Sequence, residues 1–77
     1  MREFTLRELS RYNGRDGSQV YVAYHGLVYD VSSSYYFRNG QHWITHKAGT
    51  DLSAEIAAAP HDASLLQKFP VVGSLTT

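Results

Sequence analysis

The stretch QVYVAYHGLVYDVS, residues 19–32, constrains this chain more than any other. Val20, Val22 and Tyr24 alternate with Tyr21 and Ala23; Leu27, Tyr29 and Val31 alternate with Val28 and Asp30. A period of two in β-branched and aromatic residues is the pattern of paired strands. His25-Gly26 falls between the two runs as a tight turn, so the chain is committed to a β-hairpin.

The flanks add short helices. TLRE at 5–8 fits a capping box, with Thr5 as N-cap and Glu8 three residues on. Leu6, Leu9 and Tyr12 then give that helix an apolar face, and NGRDG at 13–17 stops it. TDLSAEIAAA at 50–59 reads as a helix capped by Asp51 or Thr50, with Leu52 and Ile56 inward and Pro60 as its stop. HDASLLQKF at 61–69 reads as another, with Leu65, Leu66 and Phe69 inward, and VVGSL after Pro70 as a closing strand. Between hairpin and helices, SSSYYFRNGQHWITHKAG at 32–49 has no clean period and reads as a loop with at most one helical turn. A long irregular segment of this kind is usually functional. Helix, hairpin, loop, two helices and strand make an α+β domain.

A chain of 77 residues is expected to form a single domain, 1–77, with a limited core. Chains this small often recruit a disulfide, a metal or a bound cofactor. There is no cysteine, which excludes disulfides, thiolate zinc sites, iron–sulfur clusters and thioether-linked haem. The formal net charge is 0 and no basic stripe stands out, which argues against nucleic acid as a partner. No apolar run is long enough to span a bilayer, and MREFTLRELS lacks the apolar core of a signal peptide. The expectation is a cytoplasmic protein, or a domain cut from a larger chain.

Four histidines then carry the question of function. His25, at the hairpin turn, is expected to be solvated. His42 and His46 lie four apart around Trp43 in an aromatic-rich loop, and His61 follows Pro60 where two helices meet in a V. Three chemistries compete. Zinc would use His42 and His46 with His61 or Asp51, but Trp43 stands where a metalloprotease has its glutamate. Acid–base or nucleophilic catalysis lacks a cysteine, and Ser32, Ser33 and Ser34 have no nucleophile-elbow context. Haem iron can be filled by two neutral imidazoles, which favours electron transfer over substrate binding. It also needs a large apolar cleft. Tyr35, Tyr36, Phe37, Trp43, Ile44, Leu52, Ile56, Leu65, Leu66 and Phe69 supply the side chains for one, or for an ordinary core.

FTLRELSRYNGRDGSQVYVAYHGLVYDVS, AGTDLSAEIAAAPH and LLQKFPVVGSL occur in the order and spacing of one family, and the chain resembles the cytochrome b5-like haem/steroid-binding domain. The resemblance covers nearly the whole chain. It implies a small β-sheet with short helices forming a haem cleft, and noncovalent haem b as cofactor. His61 matches one axial ligand. The family's HPGG is absent; FRNGQHWITHKAG resembles a short prokaryotic variant instead, so the second ligand is His42 or His46. His42, just after the Asn39-Gly40 turn, is the favoured one, with His46 then contacting a propionate or supporting the site; the reverse assignment is the rival. Phe37, Trp43, Ile44, Leu52, Ile56, Leu65 and Leu66 are expected to line the cofactor. A superfamily relative ligates haem through tyrosine, and Tyr35 and Tyr36 precede the motif here, but the intact APH and the two further histidines favour bis-histidine ligation.

The expected function is that of a b-type cytochrome domain, an electron carrier and not an enzyme. The alternative is a non-redox binding or sensing module for haem or another flat apolar ligand, and a structural zinc module comes third. A monomer that meets a redox partner protein is expected, with no membrane segment in this chain even if it belongs to a larger membrane-associated protein. Asp30, Asp51, Glu55 and Asp62 against Arg38, Lys47 and Lys68 give no charged face from which that partner could be read.

Overall fold

The computed structural model describes residues 2–14, 18–33, 41–42, 46–54, 64 and 66–76. Strand β1 is Arg2–Thr5, helix α1 Leu6–Leu9, β2 Tyr21–Tyr24, β3 Leu27–Asp30, β4 Gln41–His42, β5 His46–Lys47 and β6 Val71–Thr76. β1, β6, β3 and β2 form one sheet in that order, and β4 and β5 form a separate two-stranded ladder.

The hairpin is where the alternation places it. β2 and β3 pair antiparallel with Tyr24 opposite Leu27 and Tyr21 opposite Asp30. The turn residues His25 and Gly26 have φ of 49° and 79°. Positive φ at both central positions is the mirror-image turn whose twist suits a hairpin. At the open end, Val31 N–H donates to the Val20 carbonyl at 2.9 Å, and Val20 N–H to Ser32 Oγ at 2.9 Å.

Both faces of the sheet are covered. On one face Val20, Val22, Tyr29 and Val31 pack with Ala48, Leu52 and Leu66. On the other Tyr21, Ala23 and Val28 pack with Phe4 and Leu9. The two parities of each strand thus feed two half-cores, and the segment 48–52 and Leu66 close the first of them.

The capping box forms as expected. Glu8 N–H donates to Thr5 Oγ1 and Thr5 N–H to Glu8 Oε1, each at 3.0 Å. The apolar face expected of Leu6, Leu9 and Tyr12 forms in part: Leu9 is fully buried and Tyr12 packs with it, but Leu6 is 55% exposed. A single-turn helix cannot bury both, and Leu9 is the one directed at the sheet. Arg2–Thr5 was not expected to be a strand. It pairs parallel with β6, Phe4 opposite Leu75, a partner from the far end of the chain.

Two further expectations meet the structure in part. The irregular stretch 32–49 is not all loop: it contains the β4–β5 ladder. Of the helices expected at 50–59 and 61–69, the chain is helical at Ser53–Ala54 and at positions 64 and 66. Residues 55–63 and 65 lie outside the described residues. The closing strand is present as β6.

Candidate functional site

Residues 48–53 lie along the outer edge of β2. Gly49 N–H donates to the Tyr21 carbonyl at 2.6 Å, Ala23 N–H to Thr50 O at 3.0 Å, and Leu52 N–H to Ala23 O at 2.7 Å. Ala23 and Asp51 form a parallel bridge. Ala48 and Gly49 are buried. Gly49 has φ 77°, and a Cβ there would sit 3.1 Å from Leu9 O and 3.2 Å from Ser10 Cα. Only glycine combines that left-handed backbone with so close an approach. The AG of the motif is therefore a docking point: a small buried residue, then one with no side chain.

At Ser53 the chain turns from extended to helical. Asp51 Oδ1 accepts from Ser53 N–H at 3.0 Å, the cap expected of Asp51, and from Ser53 Oγ–H at 2.6 Å. Ser53 Oγ in turn accepts the His25 N–H at 3.0 Å. Sequence reasoning found the cap and missed its connection to the hairpin turn. The D-x-S signal is local, whereas the His25 bond crosses from a distant segment.

The docked stretch joins two histidine-bearing arms. Immediately before it, β5 pairs antiparallel with β4, and the register sets Gln41 opposite Lys47 and His42 opposite His46. Residues directly opposite in such a ladder share one face of it. The four-residue spacing thus brings positions 42 and 46 together through a ladder, not through a helix. Beyond the docked stretch, the chain leaves Ser53 towards His61. His61, Phe37, Trp43, Ile44, Ile56 and Leu65 lie outside the described residues. Leu52 and Leu66 are 2% and 4% exposed, within the half-core beneath the docked segment. His25 is exposed, its ring 4.2 Å from that of Tyr24.

The ladder register thus sets two histidine positions, 42 and 46, opposite each other as Cα partners. Among the described residues, no three His, Cys, Asp or Glu gather as a metal site. No helix among them is long and apolar enough to cross a membrane.

Comparison with known proteins agrees with this architecture. Residues 5–76 match the family model of the cytochrome b5-like haem/steroid binding domain. A cytochrome b5 domain protein from Hadesarchaea is 56% identical, with a TM-score of 0.92 over 99% of this chain and 100% of that one. One from Methanococcoides burtonii is 50% identical, with a TM-score of 0.91 over 99% of each. A protein of Arabidopsis thaliana described as having a cytochrome b5-like fold is 28% identical, with a TM-score of 0.77 over 100% of this chain and 93% of that one. Probable steroid-binding protein 3 of Arabidopsis thaliana is 44% identical over 54 residues, 66% of this chain and 52% of its own length. The chain spans about half of that curated relative. With a family model covering the sheet, the docked AG segment and both histidine arms, the chain belongs to the cytochrome b5-like haem/steroid-binding family.

Proposed function

We infer that this domain binds one haem b noncovalently, with His61 on one side of the iron and a histidine of the 42/46 pair on the other, and that it carries single electrons. The observation that carries the reading is the register of His42 opposite His46, set beside a docked AG segment whose chain continues to His61. The donor set fits the group. Neutral imidazole is a ligand for haem iron, and the chain has no thiolate to compete. Half-buried Tyr24, Leu27 and Phe69 flank the buried Val22, Leu52 and Leu66, so this half-core is apolar.

Haem, when bound, supplies a one-electron couple. The chain's part is to hold and to shield. His61 and a histidine of the 42/46 pair would hold the iron and leave no position on it for oxygen or substrate. Gly49 and the β2 edge fix the base of both arms, so little of the backbone at that base has to move when charge changes.

A second reading has its own support. The curated relative is named a probable steroid-binding protein, and a flat apolar ligand would use the same apolar half-core. A haemin titration followed by absorption distinguishes the two. Sharp low-spin, six-coordinate bands support the electron-carrier reading. A five-coordinate or high-spin spectrum supports a non-redox haem module. No Soret band at stoichiometric haemin removes haem and leaves the flat-ligand reading.

A further inference from the structure

We propose that Asp51 and Ser53 are positioning residues for the arm that carries His61, acting by pegging the start of that arm to the hairpin turn at His25. The proposal rests on the haem reading above.

The outer edge of β2 offers backbone groups at residues 21, 23 and 25. Those of Tyr21 and Ala23 are met by backbone: Tyr12 O and Gly49 N–H at Tyr21, Thr50 O and Leu52 N–H at Ala23. At residue 25 the pairing changes in kind. The chain opposite has begun to coil at Ser53, so no extended backbone carbonyl continues the edge. Ser53 Oγ takes the place of that carbonyl and accepts the His25 N–H at 3.0 Å. Its own proton is directed away from His25 by Asp51 Oδ1 at 2.6 Å, which leaves a lone pair for that amide. The same Oδ1 accepts Ser53 N–H at 3.0 Å, so one carboxylate oxygen orients both the hydroxyl and the first turn.

The far end of this clasp is rigid. His25 is held at φ 49° in a two-residue turn between paired strands. A segment tied only through Leu52 N–H could pivot about the β2 edge. A second tie beyond it, at Ser53, removes that freedom and fixes the direction in which the chain leaves Ser53. On this proposal the clasp would act on how His61 is held, more than on the fold.

The test uses haem-loaded protein and three readouts. These are ferric EPR g-values with the spread of the haem methyl NMR shifts, the rate of haem transfer to an apoglobin, and exchange of the His25 amide. Ser53→Ala is expected to stay six-coordinate, to shift the g-values and methyl spread, and to lose haem roughly tenfold faster, the lower end for a residue that orients a metal ligand. Ser53→Thr, which keeps the hydroxyl, is expected to restore all three. Asp51→Asn keeps an acceptor oxygen and should resemble wild type, while Asp51→Ala should resemble Ser53→Ala. Faster His25 exchange in Ser53→Ala with unchanged g-values and haem loss would overturn the assignment and leave the haem reading standing. Failure of Ser53→Thr to restore the signals would also overturn it. Failure of the wild-type protein to take up haem overturns both.

Discussion

His42 and His46 face each other as Cα partners across the β4–β5 ladder. Opposed positions in an antiparallel pair are about 5 Å apart at Cβ, so on the haem reading proposed above positions 42 and 46 are equally placed to supply the second donor. Removing either one is therefore expected to leave the other in reach. His42→Ala and His46→Ala should each retain a six-coordinate spectrum with a changed reduction potential, and the double variant should become five-coordinate or high-spin and lose haem readily. Ferric and ferrous spectra at stoichiometric haemin check this. A five-coordinate spectrum from one single variant alone would identify that histidine as the sole ligand of its side.

Gly49→Ala is expected to destabilise the domain by about 1–3 kcal/mol, the cost of a left-handed backbone on a residue with a Cβ. Its Cβ would also press on Leu9 O and Ser10 Cα, backbone atoms that cannot rotate away. Urea unfolding of wild type and variant measures the difference. Equal midpoints would show that the 49–52 segment does not depend on this contact.

Glu8 accounts for part of the behaviour on the acid side. The Thr5 backbone N–H, then the Thr5 side chain, hold its carboxyl below the ordinary 4.5. A carboxylate whose pKa is lowered on folding stabilises the native state above its unfolded pKa and loses that contribution as pH falls through the folded one. The stability gap between wild type and Glu8→Gln should therefore be constant at neutral pH and shrink below about pH 4.5. Thermal melts from pH 7 to pH 3 would show it; a gap that stays constant to the acid limit would contradict the linkage.

Tyr21 acts at the other limit. Burial first, and Asp30 and Tyr12 after it, push its phenol above the ordinary 10.0, against a small opposing effect of Arg2. Its ring stacks on Tyr12 at 4.4 Å and its hydroxyl donates to Gln19 Oε1 at 2.8 Å. A phenol with a raised pKa favours the folded state fully below the unfolded value and loses that contribution as pH rises through the folded one. Tyr21→Phe should be the less stable protein at pH 7, through loss of the Gln19 bond, and its deficit should narrow above pH 10. Denaturant midpoints across that range test the sign.

Local chemistry made the legible parts legible. The hairpin announced itself by strict alternation over both strands, and the α1 cap by Thr5 and Glu8 at the required spacing. What escaped notice was set by partners distant in sequence. Arg2–Thr5 carries no strand pattern of its own and becomes a strand only because Gly73–Thr76 lie alongside it. Leu6 is exposed because three-residue spacing marks a face only in a helix longer than one turn. HWITH gave two histidines and no period, and Trp43-Ile44-Thr45 contains none of the usual turn residues, so a ladder with His42 opposite His46 could not be told from a helix with both on one side. Asp51 was readable as a cap. Its link through Ser53 to His25 was not, since nothing local to either segment encodes it.

The parallel pairing of β1 with β6 has a consequence for the order of assembly. Among the described residues β1 has no sheet partner other than β6, and β6 also supplies the second neighbour of β3. The hairpin can form from its own residues, but β1 must wait for a strand near the opposite end of the chain. That pairing closes the largest loop in the molecule, and chains that depend on such closures fold slowly. Gly73 makes the final step selective. A Cβ there would collide with Arg2 O and lie 2.6 Å from Phe4 Cε1, so β6 can enter between β1 and β3 only where it carries no side chain towards them. Until it does, Phe4, 1% exposed in the finished sheet, has no place to go. The window between hairpin formation and strand insertion is therefore when this small protein shows solvent the Phe4 ring beside an unpaired edge, the surface on which another unfinished copy could add itself.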